Sequence, residues 1–413
     1  MSSVVETPSG ETRQPVDPAA SGGRRSGLST LITTILSFVL AMVVGGVLIA
    51  LSDARTRKAM GYFFDAPQDT FARGWHAASQ AYWWLFKGAI LDPSTLSKGS
   101  YSDVLNPISE TIVYATPLIF TGLSVALAFR AGLFNIGAQG QLIGGAILAG
   151  WLGFAVNLPI VVHVIVCLVG GMVGGLAFGW VAGYLKARTG AHEVITTIML
   201  NYVAINLLGY LLTKHFFQAP PYDVSQSRTI HSHAELPSLL GGGLRANVGV
   251  LVGVAAAVVV WWLLERTTIG FRLRASGANP AAARTAGMAV NRSAIVAMAA
   301  AGLLAGLAGA MQVLGPAHLV STTVDGDAGF DGVTVALLGR GKPMGVVLAA
   351  LFLGALRAGG LVMESRTPTS NDIITVTQAL MVLFIAAPAL IRAVFRIRAA
   401  GGLAQARAKG WNG

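Results

Sequence analysis

Apolar runs of about twenty residues recur along most of the chain, and they limit its fold more than any other feature. A helix needs a run of about that length to cross the hydrocarbon core of a bilayer, where its backbone groups must bond to one another. Hydrophobic residues make up 54% of the chain and charged residues only 11%, against about 25% charged in soluble domains. The sequence therefore predicts an all-α integral membrane protein.

Ten segments are apolar enough to be membrane helices, and the eighth of them is short. A short or interrupted span is typical of a broken helix that lines a cavity. The expected segments are 29–51, 110–130, 134–155, 159–185, 193–212, 247–265, 293–314, 330–339, 345–363 and 373–395.

Basic residues predict how these segments are oriented. The net charge of +11 is scattered, with no long basic block, so it indicates membrane topology and not nucleic-acid binding. Most arginines and lysines fall in loops that share one side with both termini, and that side is predicted to be the cytoplasm. Arg55, Arg57 and Lys58 follow the first helix directly, on the predicted outer side, and contradict the rule locally.

Polar stretches divide the chain into regions. Phe71, Trp75 and Tyr82 recur at helical spacing and indicate an amphipathic helix lying at the outer membrane interface. The predicted regions are a disordered cytoplasmic tail at 1–27, the first transmembrane helix at 28–51, an extracytoplasmic segment with the interfacial helix at 52–108, the core of membrane helices at 109–398 with a cytoplasmic segment at 266–292, and a cytoplasmic tail at 399–413.

Amide side chains interrupt the apolar pattern in two places. Asn135, Gln139 and Gln141 lie in a glycine-rich stretch, where unpaired amides are costly in lipid. Asn135 and Gln139 are four residues apart, which predicts one helical face. The residues leave two interpretations open, hydrogen bonds between helices or the lining of a translocation path. Asn201 and Asn206 are further candidates for contact with a polar solute.

Residues 266–292 interrupt two membrane segments on the basic side and predict a short protruding helix. Asn279 suits an N-cap, Pro280 the first helical position and Gly287 the stop. The residues alone allow a capped loop with topogenic arginines or a helix that docks against a partner. The residues that would make such a contact are Arg272, Arg274, Asn279, Pro280, Ala281, Ala282, Arg284 and Gly287.

Four ordered motifs resemble those of permeases from ATP-binding-cassette (ABC) importers for nucleosides and simple sugars. The resemblance covers about residues 105–395. Gln139 stands where that family usually has glutamate, so the resemblance does not extend to a role that depends on the carboxylate. The motifs are GLFNIGAQGQ at 132–141, TGAHEVITTIMLNYVA at 189–204, GANPAAARTAGM at 277–288 and GFDGVTVALLGRGKPMG at 329–345.

The resemblance implies a type II-importer-like permease in a bacterial cytoplasmic membrane. The permease would translocate a nucleoside or a related sugar or ribosyl compound without a cofactor, a metal or a nucleotide site of its own. It implies three protein partners: a cytoplasmic ATPase that docks at 277–288, a second homologous permease in a heterodimer, and an extracytoplasmic substrate-binding lipoprotein.

His192 and Glu193 begin the fifth segment on the predicted cytoplasmic side. The helix dipole favours a carboxylate in the first turn, which alone accounts for Glu193. The alternative is an inner gate at which Glu193 pairs with an arginine.

Two other classes of protein are alternatives to a permease of this family. An ion-coupled secondary transporter needs paired carboxylates or histidine relays in mid-membrane, whereas Arg357 is the one clear mid-segment charge and has no evident partner. A membrane enzyme needs a nucleophile beside a base, and no such group appears. Asp325, Asp327 and Asp331 could suit Ca²⁺, but no complete binding loop follows, so a solvated outer loop is predicted.

Overall fold

The computed structural model describes residues 23–96, 99–241, 243–387, 391 and 394–395, with side-chain environments from residue 35 onward. The predicted tail at 399–413 and most of the one at 1–27 lie outside these residues. The described helices are α1 (Gly23–Ser52), α2 (Ala54–Met60), α3 (Pro67–Ala89), α4 (Tyr101–Arg130), α5 (Ala138–Ala155), α6 (Ile160–Thr189), α7 (Glu193–Leu211), α8 (Gly249–Arg266), α9 (Thr268–Ala278), α10 (Pro280–Thr285), α11 (Val290–Gln312), α12 (Ala328–Leu338), α13 (Pro343–Arg366) and α14 (Asp372–Ala386).

Seven of the described helices are long and apolar enough to cross a membrane. They are α1, α4, α6, α7, α8, α11 and α13. The predicted all-α membrane fold is confirmed, while the count of ten spans stays a prediction. The short eighth segment is present as α12, whose 11 residues reach only about 16 Å, half of a bilayer core.

Glycine allows three helices in the middle of the bundle to touch through their backbones. Gly175 and Gly179 lie on one face of α6, and Gly302 and Gly306 face them from α11. A Cβ atom on Gly175 would lie 2.2 Å from the carbonyl oxygen of Gly302. Gly145 of α5 meets Gly306 in the same way. The sequence pattern of small residues four apart predicts such packing, and the structure confirms it.

One end of the bundle, which we call the knob end, carries the turns between α4 and α5 and between α12 and α13 together with α9 and α10. Gly132 packs against Gly277. Arg130 donates from Nε to the carbonyl oxygen of Gly341 at 3.0 Å. The turn between α6 and α7 lies at the same end, because Asn291 donates to the carbonyl oxygen of Ala187.

The opposite end, which we call the loop end, carries the long connection 212–248. The N–H of Ser227 donates to the carbonyl oxygen of Val320 at 2.8 Å. Arg245 forms an ion pair with Glu110 near the start of α4. The two ends therefore differ in kind, with a short protruding helix at one and long folded connections at the other.

Helices α1, α2 and α3 pack on one side of the bundle, against α13 and α14. Helix α3 buries Gly74, Ala81 and Gly88 and leaves Phe71 and Trp75 exposed at 69% and 77%. The predicted helix is thus present, and its place at the membrane interface stays a prediction.

Replacing Gly175 by alanine should weaken the bundle, because the new methyl group would meet backbone atoms that cannot move aside. We expect a loss of about 1–3 kcal/mol in the free energy of unfolding, measured as a lower thermal transition in detergent. Gly209→Ala on α7 is the matched control, since a Cβ atom there meets nothing within 4 Å. Equal transitions for the two variants would contradict the packing described.

Candidate translocation path and coupling surface

The turn between α4 and α5 differs from its prediction. Helix α5 begins at Ala138, so Asn135 precedes the helix and does not share a helical face with Gln139. The cause is local, because the Asn135 side chain accepts the N–H of Gly137 at 3.0 Å and thereby offers the backbone a turn in place of a helix. The predicted segment 134–155 therefore becomes helical only from Ala138 onward.

Asn135 and Gln141 bond to each other inside the bundle. The amide of Asn135 donates to the Gln141 side-chain oxygen at 3.0 Å and to Ser124 of α4 at 3.2 Å. Asn135 and Gln141 are buried. Their amides therefore join α4 to α5, which is one of the two interpretations that the sequence leaves open.

Asn201 plays a similar part from α7. Its side-chain oxygen accepts the N–H of Gly140 at 2.8 Å, and its amide donates to the carbonyl oxygen of Ile136 at 3.0 Å. Asn201 is buried. The side chain thus satisfies backbone groups at the start of α5, where the helix itself supplies no partner.

Residues 320–327, which precede α12, descend into the bundle without forming a helix. Val320 lies at the loop end and would contact a Cβ atom on Gly150 of α5, whereas Gly329 lies against Gln139 at the start of α5. Positions 139 and 150 are separated by about 16 Å along α5. Residues 320–329 therefore cross roughly half of the bundle, and α12 completes the crossing. Such a broken helix is tolerated at membrane depth only where protein or a cavity surrounds it.

Charged side chains hold this descending segment. Arg357 of α13 lies 2.5 Å from the carboxylate of Asp331 and donates to the carbonyl oxygen of Gly326. Asp325 accepts a hydrogen bond from the side-chain amide of Gln139. Asp327 is exposed and has a φ of 60°. No cation pairs with it among the described residues.

The prediction of a solvated outer loop is wrong for Asp325 and Asp331. Both side chains are partly buried, and the Asp331 side chain is only 23% exposed, because the segment that carries them runs into the bundle. Among the described residues, no group of three or more His, Cys, Asp or Glu side chains is placed to hold a metal ion.

Sequence reasoning missed the pair between Arg357 and Asp331. The signal was present, since Arg357 is a charge in the middle of a predicted span and such a charge requires a partner. The partner lies on a different helix, 26 residues earlier in the chain, and helical spacing does not reveal a contact of that kind.

Helix α7 leaves most of its surface open, with 22% of its span buried. Tyr202, Asn206 and Tyr210 are four residues apart and exposed. Asn206 donates only to the carbonyl oxygen of Tyr202, within its own helix. Of the five amides predicted to line a path, Asn206 alone is exposed.

His192 and Glu193 lie at the knob end, as their place at the start of α7 predicts. The carboxylate of Glu193 is 2.8 Å from the Lys186 ammonium group at the end of α6. The hypothesis of an arginine partner is therefore wrong, and a lysine takes that place. His192 occupies the N-cap position and is exposed.

The predicted protruding helix is present as α10. The Asn279 side chain accepts the N–H of Ala282 at 3.0 Å, Pro280 begins the helix, and Gly287 has a φ of 78°. These three features confirm the expected cap and stop. We call residues 279–287 the knob.

Most of the predicted contact residues are free to meet a partner. Arg274 is the exception, because its guanidinium lies 2.8 Å from the Glu265 carboxylate at the end of α8. Ala283 is the buried residue that seats the knob on the bundle. The exposed residues are Arg272, Asn279, Pro280, Ala281, Ala282, Arg284 and Gly287.

A helical membrane bundle with a broken helix and a capped helix protruding at one end is the arrangement expected of a membrane transport subunit. Comparison with known proteins specifies the family. Residues 108–387 match the family model for the permease component of branched-chain amino acid transport systems. The chain belongs to this family, is a multi-pass cell membrane protein, and is a permease subunit of an ABC importer.

Three relatives illustrate the similarity. The guanosine ABC transporter permease protein NupP of Bacillus subtilis is 39% identical, over 73% of this chain and 86% of the relative. The nucleoside ABC transporter permease protein NupB of Lactococcus lactis is 34% identical, over 69% and 80%. A glucose ABC transporter permease protein of Haloferax volcanii is 34% identical, over 67% and 75%. The resemblance carried by the sequence motifs is thereby confirmed.

Proposed function

We propose that this chain forms one half of the membrane pathway through which an ABC importer carries a nucleoside, or a related ribosyl compound or simple sugar, into the cytoplasm. The main support for this proposal is the capped and exposed knob. A permease that depends on ATP hydrolysis by a separate subunit needs a rigid surface that the ATPase subunit can contact. The names of the guanosine, nucleoside and glucose permeases support the class of solute.

The knob end then faces the cytoplasm, as do both termini. Ala281, Ala282 and Arg284 would enter a groove of the ATPase subunit. The Asn279 cap and the pair between Arg274 and Glu265 hold the knob stiff, so that a movement of the ATPase is passed to the bundle. Closure of the ATPases on ATP would draw two knobs together and open the path outward, and hydrolysis would return it inward.

The open face of α7 would meet a second, homologous permease in a heterodimer. An exposed amide on a membrane helix requires a polar partner beyond its own backbone, and Asn206 would find one across the dimer axis or in the path. The long connections of the loop end would receive the substrate-binding lipoprotein on the outer side.

The polar path itself would run along the broken helix. Asp327 has a free carboxylate at the depth where the descending segment turns into α12, and it can accept hydrogen bonds from solute hydroxyl groups. Gln139 positions that segment through Asp325. Lys186, His192 and Glu193 would close the path at its inner end. Asn135, Gln141 and Asn201 would shape the path without touching the solute, because they are buried and bonded to one another or to backbone.

An ion-coupled secondary transporter is the alternative that the sequence leaves open, and the pair between Arg357 and Asp331 is the observation that bears on it. Arginine keeps its proton at every physiological pH, however, so this pair cannot serve as a proton relay. Uptake by the purified chain alone, driven by an ion gradient and without ATP, would decide for this candidate.

Reversing charge on the knob should uncouple the transporter. For Arg284→Glu combined with Ala282→Asp, we expect solute uptake and transport-stimulated ATP hydrolysis to fall at least tenfold in proteoliposomes. The reason is that two new carboxylates would repel the docking groove while the knob keeps its Asn279 cap. Folded yield and capture of solute by the binding protein should not change.

The control for that experiment is Arg188→Glu, a charge reversal at the same end but outside the knob. It should keep uptake within about twofold of the unaltered protein. Uptake that is unchanged in the knob variant, or reduced equally in both variants, would contradict docking at the knob.

Neutralising either Arg357 or Asp331 alone should lower the stability of the protein more than neutralising both residues. Asp331→Asn or Arg357→Gln leaves a partly buried charge without its partner, a change that costs about 3–5 kcal/mol for buried pairs. We expect a sharp loss of folded protein, measured by size-exclusion chromatography in detergent.

The double variant, Asp331→Asn with Arg357→Gln, should recover the folded yield but not the uptake rate, because the descending segment is no longer held at Gly326. Full uptake in the double variant would show that the pair does not shape the path. A yield as low as in the single variants would show that the two charges are not coupled.

A further inference from the structure

Arg55, Arg57 and Lys58 oppose the positive-inside rule, and the structure shows what surrounds Arg55. Arg55 lies on α2. Together with α3, the end of α13 and the turn that follows it, α2 lines a cavity of about 710 Å³. This cavity, which we call the basic pocket, lies at the loop end. Its lining includes three arginines from three separate elements, namely Arg55, Arg73 and Arg366.

The lining of the basic pocket carries more positive than negative charge. Asp53 is the one carboxylate in the lining, and its oxygen already accepts the N–H and the hydroxyl of Thr56 at 2.8 and 2.9 Å, where it caps α2. Arg73 approaches Asp69 at 3.5 Å, with both side chains nearly half exposed, a pairing that contributes little. Further polar groups in the lining are His76, Gln80, Thr367 and Thr369.

The guanidinium of Arg366 is held in place by an aromatic ring. Its central carbon lies 5.3 Å from the centre of the Trp84 ring, within the range of a cation–π contact. Guanidinium groups bind phosphate oxygens with paired hydrogen bonds. Three guanidinium groups around one cavity therefore supply the donors that a phosphate group requires.

The surroundings of the basic pocket suit a lipid headgroup. The neighbouring face of α3, with Phe71 and Trp75 exposed, borders an apolar groove between α1 and α3 of about 1060 Å³. Aromatic side chains of this kind mark the membrane interface. Helices α1 to α3 also precede the family match at 108–387 and pack on the outside of the bundle, where lipid would surround them.

We propose that the basic pocket binds the phosphate of an anionic phospholipid in the outer leaflet, and that this lipid fastens α2 and α3 to the end of α13. Arg55, Arg73 and Arg366 donate to the phosphate oxygens, and the acyl chains lie along the apolar surface of the neighbouring helices. Arg55, one of the three basic residues that oppose the positive-inside rule, is then matched by a bound anion.

Lipid retention by the purified full-length protein tests this proposal. Native mass spectrometry would compare phosphatidylglycerol with phosphatidylcholine on the unaltered protein, on the pocket variant Arg55→Gln with Arg366→Gln, and on the control Arg57→Gln with Lys58→Gln. The control removes two basic charges from the same helix but outside the basic pocket. We expect the pocket variant to retain at least tenfold less phosphatidylglycerol and the control to retain it fully.

Four results would overturn the proposal. The first two are an equal loss of phosphatidylglycerol in the pocket variant and the control, and retention of phosphatidylcholine equal to that of phosphatidylglycerol. The third is displacement of the bound lipid by millimolar glycerol 3-phosphate. The fourth is a pocket variant that keeps the lipid but loses stimulation by the substrate-binding protein. If the double variant does not fold, Arg55→Gln alone serves, because Arg55 is exposed on α2. This single change must also lower phosphatidylglycerol retention severalfold for the proposal to stand.

Discussion

Direct backbone contact between α5, α6 and α11 is the interaction on which the rest of this structure depends. In lipid there is little hydrophobic drive to bring helices together, so packing at short range must supply the energy. Glycine at positions 145, 175, 302 and 306 allows the helix backbones to approach this closely. Helices α5, α6 and α11 therefore form a central frame. The start of α5 lies in this frame, with Asn135, Gln141 and Asn201 around it.

The frame in turn permits a segment that lipid alone would not allow. The chain from 320 to 331 carries non-helical backbone and the partly buried carboxylates of Asp325 and Asp331 into the bundle, which is costly unless protein surrounds them. Gln139 from the rigid side and Arg357 from α13 supply the partners. At the other end of the frame, α9 packs against the turn at Gly132, so that the knob, which follows α9, is joined closely to the bundle.

Features that depend on neighbouring residues could be predicted from the sequence. The cap at Asn279, the stop at Gly287, the glycine face of α6 and the short α12 all rest on local spacing. Features that depend on distant contacts could not. Asn135 was expected on a helix because the apolar run continues through it, yet its own side chain diverts the backbone. Asp331 was expected in a solvated loop because the descent of its segment is set by contacts with α5.

The central claim is that the knob lies in the cytoplasm and that the long connections lie outside. Labelling with a membrane-impermeant maleimide tests it most directly, using Ala282→Cys or Ser225→Cys in a Cys167→Ala background, since both positions are exposed and Cys167 is the one natural cysteine. We expect position 225 to react in sealed right-side-out vesicles and position 282 only in inside-out vesicles. Reaction of position 282 from the outer side would contradict the account.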